Sequence, residues 1–474
     1  MKTLLYRFLI TLALFASLHR ANATTVFPIA TNTSIVELVK GGTASSGSNY
    51  LVGLNQNSTN VCVQLVSTNG ALIGSLMTVG ASKGEPRVAF GKTNYLAFWG
   101  NDYISGAIDL YGQLISSSGV KVGSAFPLLQ SLGTHGFQAE QAIAYDGTNF
   151  LVVWEDNNAA TNKFYGQLVT TAGTLSGAEF LIGSAATGGA YNPQNDSATF
   201  LAFGATNYLF VWQIKVSDSP ETWSTYGCFI SRSGAVNGPI QISQTNSPSY
   251  NPLTIAFDGT NYLVVWNRDI GLGYPNPTIW NIDARFVAPG GTFPGNEFTL
   301  VTNQAIYPSL AFDGVNYLFA WAWNSHSNLF YEFLNRSANA VGPAFTVFQL
   351  QPTNAFGFGS VTFDGNRFGA VANLGSVTVD TNGNVTGIGS SAVYGAFIPS
   401  SKALPKLSST SFTNRQFSLT LAGTPGINYA IQMATNLTPV NWTAIATNSP
   451  TNGAFTFTDT SATNKNRFYR ALSQ

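Results

Sequence analysis

Charge is scarce in this sequence. Only 9% of its 474 residues are Asp, Glu, Lys or Arg, against roughly 25% in an average domain. The 21 basic and 21 acidic side chains cancel. That excludes a basic stripe for nucleic acid and a polybasic segment for an acidic membrane. Cysteine is nearly absent. Cys62 and Cys228 are the only two, and they fall in repeats that are not neighbours, so a disulfide between them is not expected. They read as buried thiols acting as small apolar residues. After the N-terminus, no apolar run reaches the ~20 residues that a membrane-spanning helix needs. The sequence offers no cofactor motif and no metal-ligand spacing.

What is present is glycine (47 residues), aromatics at 13%, and many short apolar runs separated by turn residues. This is the composition of many strands joined by turns. Residues 1–23 have the form of a secretory signal. Lys2 and Arg7 start it, Phe8 to Leu18 is apolar, and Ala21-Asn22-Ala23 is a small-x-small cleavage site. The expected location is therefore secreted, or at the outer cell surface.

One phrase recurs. Asp258-Gly259-Thr260-Asn261 is followed by the apolar run Tyr262-Leu263-Val264-Val265-Trp266. Copies align at Asn49, Asn94, Asn149, Asn207, Asn261, Asn316 and the worn Arg367, 45 to 58 residues apart. A period near 50 with strand chemistry in each unit predicts a β-propeller. Five copies end in Trp: Trp99, Trp154, Trp212, Trp266 and Trp321. Each repeat reads as four strands. The first carries a small residue (Ala89, Ala144, Ala202, Ala256, Ala311, Thr362), suited to a crowded axis. The second is apolar on both faces, as a strand covered from both sides must be. Asp-Gly turns join the first two. Thr24 to Thr31 resembles the outer strand of a repeat but has no repeat of its own. It is expected to complete the seventh blade. In that blade Val393 to Phe397 reads as the third strand, and Val377 to Gly387 as an alternative third–fourth hairpin.

From residue 400 the pattern changes. Residues 400–406 read as a linker. Beyond it, Phe417/Leu419/Leu421 and Tyr429/Ile431/Met433 alternate strictly, as half-buried strands do. The expected organisation is a signal at 1–23, a seven-bladed β-propeller at 24–399, a linker at 400–406 and a small β-sandwich at 407–474, of immunoglobulin or fibronectin type.

The DGTNYLVVW repeats resemble those of bacterial extracellular propeller proteins. The tail, with Ala434 to Trp442 and the closing Phe468-Tyr469-Arg470, resembles the C-terminal domain of secreted Verrucomicrobia proteins. Together the resemblances cover nearly the whole mature chain. Neither implies an established activity, so no catalytic residue follows from them.

Candidate chemistry is sparse. A ring of Trp side chains is able to stack on sugars, but each one ends a buried strand, so packing between blades is the expected role. Asp146, Asp258, Asp313 and Asp364 sit beside Gly and read as turn residues rather than metal ligands or acids. Gly80 to Gly84 fits the G-x-S-x-G of hydrolases without the strand–turn–helix setting that motif needs. Asp380, Asn382 and Asn384 alternate like a calcium loop but lack its distal carboxylate. Neither His135 nor His326 has an evident carboxylate partner.

The distribution of the few charges is more informative. Nine of the 21 acidic residues fall in the fourth–first and second–third connections, which emerge at one end of a four-stranded meander. The candidate ligand site is therefore Glu85, Arg87, Glu140, Glu155, Asp156, Arg268 and Asp269. These groups are expected at a wet surface or lining a polar pocket, so that replacing Glu155 and Asp156 by Ala spares folding. The expected function is non-catalytic binding of a glycan or protein ligand by a monomer. The alternative is a glycan-active hydrolase or lyase using the same carboxylates. A purely structural spacer is the third reading.

Overall fold

A computed structural model describes residues 25–31, 36–57, 59–81, 86–100, 110–129, 138–156, 163–184, 200–218, 221–244, 246–247, 253–270, 279–303, 305–323, 329–348, 354–379, 385–401, 406–413, 416–423, 428–435, 441–449, 454–461 and 467–473. The signal-like residues 1–23 lie outside this set. Every regular element among the described residues is a β-strand.

The chain opens with β1 (Phe27–Ala30). Sheet one is β2 (Val36–Ser45), β3 (Asn49–Gln56), β4 (Asn60–Ser67) and β5 (Leu72–Ala81). Sheet two is β6 (Arg87–Gly91), β7 (Asn94–Gly100), β8 (Leu110–Ser116) and β9 (Lys121–Pro127). Sheet three is β10 (Gln138–Tyr145), β11 (Asn149–Asp156), β12 (Lys163–Thr170) and β13 (Leu175–Ser184). Sheet four is β14 (Phe200–Phe203), β15 (Asn207–Asp218), β16 (Glu221–Ser231) and β17 (Val236–Gln241). Sheet five is β18 (Leu253–Phe257), β19 (Tyr262–Asp269), β20 (Trp280–Val287) and β21 (Phe298–Val301). Sheet six is β22 (Ala305–Phe312), β23 (Tyr317–Trp323), β24 (Leu329–Leu334) and β25 (Phe345–Thr346). All six are antiparallel meanders in chain order.

Sheet seven departs from that order. It runs β1-β28-β27-β26, with β26 (Asn354–Phe363), β27 (Arg367–Val379) and β28 (Val385–Pro399). The N-terminal strand is its outermost member, with Phe27 opposite Gly395 and Pro28 opposite Tyr394. Val377 pairs with Ile388 and Thr378 with Gly387. That stretch is thus the far end of the β27–β28 hairpin, not a third–fourth hairpin, because β1 already holds the fourth position.

The first strands of the seven sheets touch in cyclic order, from β2 through β6, β10, β14, β18 and β22 to β26 and back to β2. This is a propeller arrangement. Its core lies between sheets. Trp266, for example, is 1% exposed and shares a cluster with Leu209 and Val211 of sheet four. Trp154 and Trp212 are buried in the same way. Burial of such a side chain contributes ~3–5 kcal/mol, and sheet-to-sheet packing accounts for the Trp series. Cys62 and Cys228 are buried free thiols in sheets one and four. Burial pushes the Cys228 thiol up to about 12.

The Asp-Gly turns do two jobs. In each, one carboxylate oxygen caps its own turn. Asp258 Oδ1 accepts from the backbone N–H of Thr260 and of Asn261, both at 2.7 Å, while Gly259 takes φ 93°, which costs a glycine little. Asp146, Asp313 and Asp364 repeat the arrangement. The turn also receives the aromatic that opens the second strand of the next sheet. Tyr50 donates to Asp364 Oδ2 at 2.7 Å, tying sheet one to sheet seven. Tyr95, Tyr208 and Tyr262 donate to the carbonyls of Asn49, Asn149 and Asn207 in the preceding sheets.

Two copies have Phe in that place, and each is matched by its neighbour. Phe150 packs on Gly91, where the preceding turn has no Asp and the ring leaves no room for a Cβ. Phe368 follows Asp313, whose Oδ2 would lack a hydroxyl partner. Ser400 and Ser401 supply it instead. Their hydroxyls donate at 2.7 and 2.6 Å, and the Ser401 N–H at 2.8 Å. The first two residues after β28 are thus bound to sheet six.

The remaining strands form two three-stranded sheets. One is β29 (Lys406–Thr413), β30 (Gln416–Ala422) and β33 (Ala454–Asp459). The other has β31 (Tyr429–Ala434) between β32 (Thr443–Asn448) and β34 (Phe468–Ser473). Leu419 and Leu421 from the first and Tyr429 and Ile431 from the second share one buried cluster.

The tyrosines at the sheet junctions make stability depend on pH. Burial raises Tyr50, with the Asp364 hydrogen bond adding to it. Burial likewise raises Tyr208, Tyr262 and Tyr317, and pushes Tyr95 up to about 12. A folded-state pKa above the unfolded value of ~10 means that the contribution is complete below pH 10. It is lost as pH climbs from there towards the folded values. Thermal melts should hold level up to about pH 10 and then fall steeply. A melting temperature unchanged up to pH 12 would contradict the buried hydroxyl contacts.

Candidate functional site

In each meander the first–second and third–fourth turns leave at one end and the other connections at the opposite end. The second end is where the sequence places its charges. Much of it lies outside the described residues, including Glu85, Asp102, His135, Asp196, His326 and the stretch from Asp380 to Asn384. Of the G-x-S-x-G-like segment, Gly80 and Ala81 close β5 and the rest is outside the set.

The other candidates have definite positions. Arg87 opens β6 opposite Phe98 and is buried. Glu140 is on β10, where the register slips between Ala139 and Ala142; its side chain is outside the described set. Glu155 and Asp156 close β11, with Phe164 and Lys163 as their β12 partners and no slip between them. Arg268 and Asp269 close β19, two sheets further on.

Glu155, Asp156 and Asp269 are not at the wet surface that the sequence suggested. Glu155 is 3% exposed and Asp156 7%, and Asp269 is as deeply buried. The reason is that the strands do not stop at the Trp. The ladder runs on through both residues, so they are enclosed by neighbouring sheets rather than released to solvent. Strand alternation then turns adjacent side chains to opposite faces. Glu155 lies on the face of Phe164, which packs towards sheet four against Phe210 and Trp212. Asp156 lies on the face of Trp154 and Tyr165, whose rings stack at 6.1 Å. Burial raises the Tyr165 phenol, and the Asp156 and Glu179 carboxylates raise it further.

The sheet-five pair is equally engaged. Arg268 Nε bonds the Asp283 carboxylate, whose other oxygen accepts from Thr299 at 2.8 Å. Asp269 Oδ1 accepts from the Ile279 N–H at 3.3 Å, and its own N–H donates to Ser247 at 3.2 Å. Both are buried-charge solutions. The structure brings Arg87, Glu140, Glu155 and Asp156 to adjacent sheets, and sets Arg268 and Asp269 apart from them. Among the described residues no group of three or more His, Cys, Asp or Glu is disposed to hold a metal, and no helix is long and apolar enough to cross a membrane.

Sequence reading missed the residues between sheets five and six at this end. Asn267 is fully buried. Its amide donates to the Ala305 carbonyl at 2.6 Å, and its oxygen accepts from the Tyr307 N–H at 3.1 Å. Trp280 opens β20 and Trp323 closes β23. Neither belongs to the recurring phrase, so the repeat alignment did not single them out. The only signal was the Trp321-Ala322-Trp323 spacing, which places two indoles on one face.

No family model and no curated relative matches the sequence. Several solved structures are similar in fold. One is the Dos1 propeller, 8% identical, with 83% of this chain and 92% of that one covered and a TM-score of 0.42. Another is a Dyadobacter fermentans protein of unknown function, 11% identical, covering 80% and 99%, with a TM-score of 0.45. A third is a Fusarium graminearum α-L-arabinofuranosidase in complex with an iminosugar inhibitor, 11% identical, covering 64% and 89%, with a TM-score of 0.42. At this identity no residue is carried across.

Burial reverses the expectation that Glu155 and Asp156 are dispensable for folding. Replacing both by Ala removes two polar side chains enclosed between sheets, together with the interactions they make there, at roughly 1–3 kcal/mol each. The double variant should melt at a distinctly lower temperature than the parent in calorimetry. An unchanged melt would return both side chains to a surface role.

Proposed function

We propose that this chain is a secreted seven-bladed β-propeller followed by a small β-sandwich, and that it binds a glycan, without turning it over, at the end bearing the second–third connections. The observation that carries this reading is the commitment of the carboxylates described there. Glycoside hydrolysis needs two carboxyl groups facing one space ~5–10 Å apart. Glu155 and Asp156 face opposite sides of one strand, Asp283 holds Arg268, and Asp269 holds its own hairpin. These groups brace the rim of a scaffold. Loops on such a scaffold are where recognition sits, and zero net charge suits an uncharged ligand better than an anionic one. The signal-like residues 1–23 support export.

The second reading is a glycan-active hydrolase or lyase. Arabinofuranosidases and a family-43 glycoside hydrolase are among the similar folds, and the activities of those proteins are what bring this reading forward. One experiment separates the two: a glycan array with the purified full chain, with reducing-sugar release from each retained polysaccharide measured in parallel. Binding without release is expected. Release at enzymatic rates would replace the binding reading with the hydrolase, and absence of any retention would remove both.

A further inference from the structure

We infer that the rim where sheets five and six meet, at the end bearing the second–third connections, is an aromatic subsite for a sugar ring of a neutral polysaccharide, with Trp323 as its exposed platform. The inference rests on the glycan-binding reading and names its site and ligand class.

The argument starts from β23. Trp321 and Trp323 lie on one face of that strand. Trp321 is 5% exposed and belongs to the core shared by sheets five and six. Trp323 continues the face past the end of that core and is 37% exposed. The Phe330 ring meets both, stacked on Trp321 at 5.6 Å and edge-on to Trp323 at 5.8 Å. An indole of this kind is held in place by an aromatic behind it and open on its outer side. Trp280, from the facing sheet, is on the same side of β20 as the buried Ile282 and packs against the core of sheets six and seven. Ile279 and Ile270, beside it, are exposed. Large apolar groups are normally withdrawn from water, and here they gather at one rim.

A second observation is independent of exposure. Tyr307, on the innermost strand of sheet six, has φ 59°. For an aromatic residue this is an unfavourable conformation, of the kind that costs ~1–3 kcal/mol and concentrates at ligand sites. It is imposed rather than incidental. The buried Asn267 amide, reaching across from sheet five, fixes the backbone on either side through Ala305 and Tyr307. The result places a third aromatic, Tyr307, half-buried against the same core as Trp280.

The chemistry of this rim selects its occupant. The charged groups described at this end of sheet five are satisfied internally, Arg268 by Asp283 and Asp269 by the hairpin backbone. Among the described residues, the exposed groups at this rim are the Trp323 ring and the Ile270 and Ile279 side chains. That combination suits a pyranose, which presents an apolar C–H face to an aromatic ring and hydroxyls at its edge. With Arg268 held by Asp283, the described residues set no free cation there for a carboxylated or sulfated sugar.

The test is affinity electrophoresis of the full chain through native gels containing a xylan, an arabinan, a mannan or a mixed-linkage β-glucan, with a pectate gel for comparison. Trp323→Ala and Trp323→Phe are run beside the parent, and thermal melts are recorded for all three. The expected result is retardation of the parent in at least one neutral gel. Trp323→Ala should weaken that retention at least tenfold with an unchanged melt, and Trp323→Phe should keep most of it. Undiminished retention of Trp323→Ala would sink the subsite while leaving glycan binding in place. Retention of the parent in pectate alone would overturn the neutral assignment, and no retention in any gel would overturn both the subsite and the function it rests on.

Discussion

A strand that is apolar on both faces cannot be stable in a single sheet, and this constraint organises the whole protein. β19 illustrates it. Tyr262, Leu263, Val264, Val265 and Trp266 are all at most 1% exposed. Tyr262, Val264 and Trp266 pack towards sheet four, Leu263 and Val265 towards sheet six. Each sheet therefore needs two neighbours, and a row of such sheets is satisfied only by closing on itself. Terminal sheets in an open row would each leave an apolar face in water. The pairing of β1 with β28 fits that closure: the first strand of the chain and the last strands of the ring are hydrogen-bonded into one sheet.

The junctions between sheets add polar specificity to that apolar closure. In sheets one, two, four and five a tyrosine hydroxyl reaches the turn of the sheet before it, and in the two sheets with Phe in that place the neighbouring contacts differ. Gly91 accepts the bare ring of Phe150. Asp313, facing Phe368, is met by Ser400 and Ser401. The chain leaves sheet seven pinned at the turn end, opposite the rim proposed to bind ligand.

The repeats, the two-sided strands, the Asp-Gly turns and the outer-strand character of Thr24 to Thr31 could all be read from the sequence, because each depends on residues close together in the chain. The junction contacts could not. Whether Asp313 needs Ser400 depends on which residue stands across a junction, at Phe368, some 50 positions away. The burial of Glu155 and Asp156 was hidden for a similar reason. Nothing local says whether a strand ends at its Trp or continues for two residues more. The pairing of Arg268 with Asp283 depends on cross-strand register, and the packing of Trp280 and Tyr307 on one core depends on separate sheets meeting. Charge placement pointed to side chains that brace one end of the molecule rather than lie open on it.

Ring closure is tested most directly by unfolding a chain that lacks residues 24–31 but is otherwise intact. Without β1, β28 becomes an exposed edge and Phe27 and Ile29 leave the core of sheets seven and one, a route to edge-to-edge association. Size-exclusion chromatography and calorimetry of the shortened chain should show association together with a much lower melting temperature. A monodisperse monomer that melts with the parent would contradict the account.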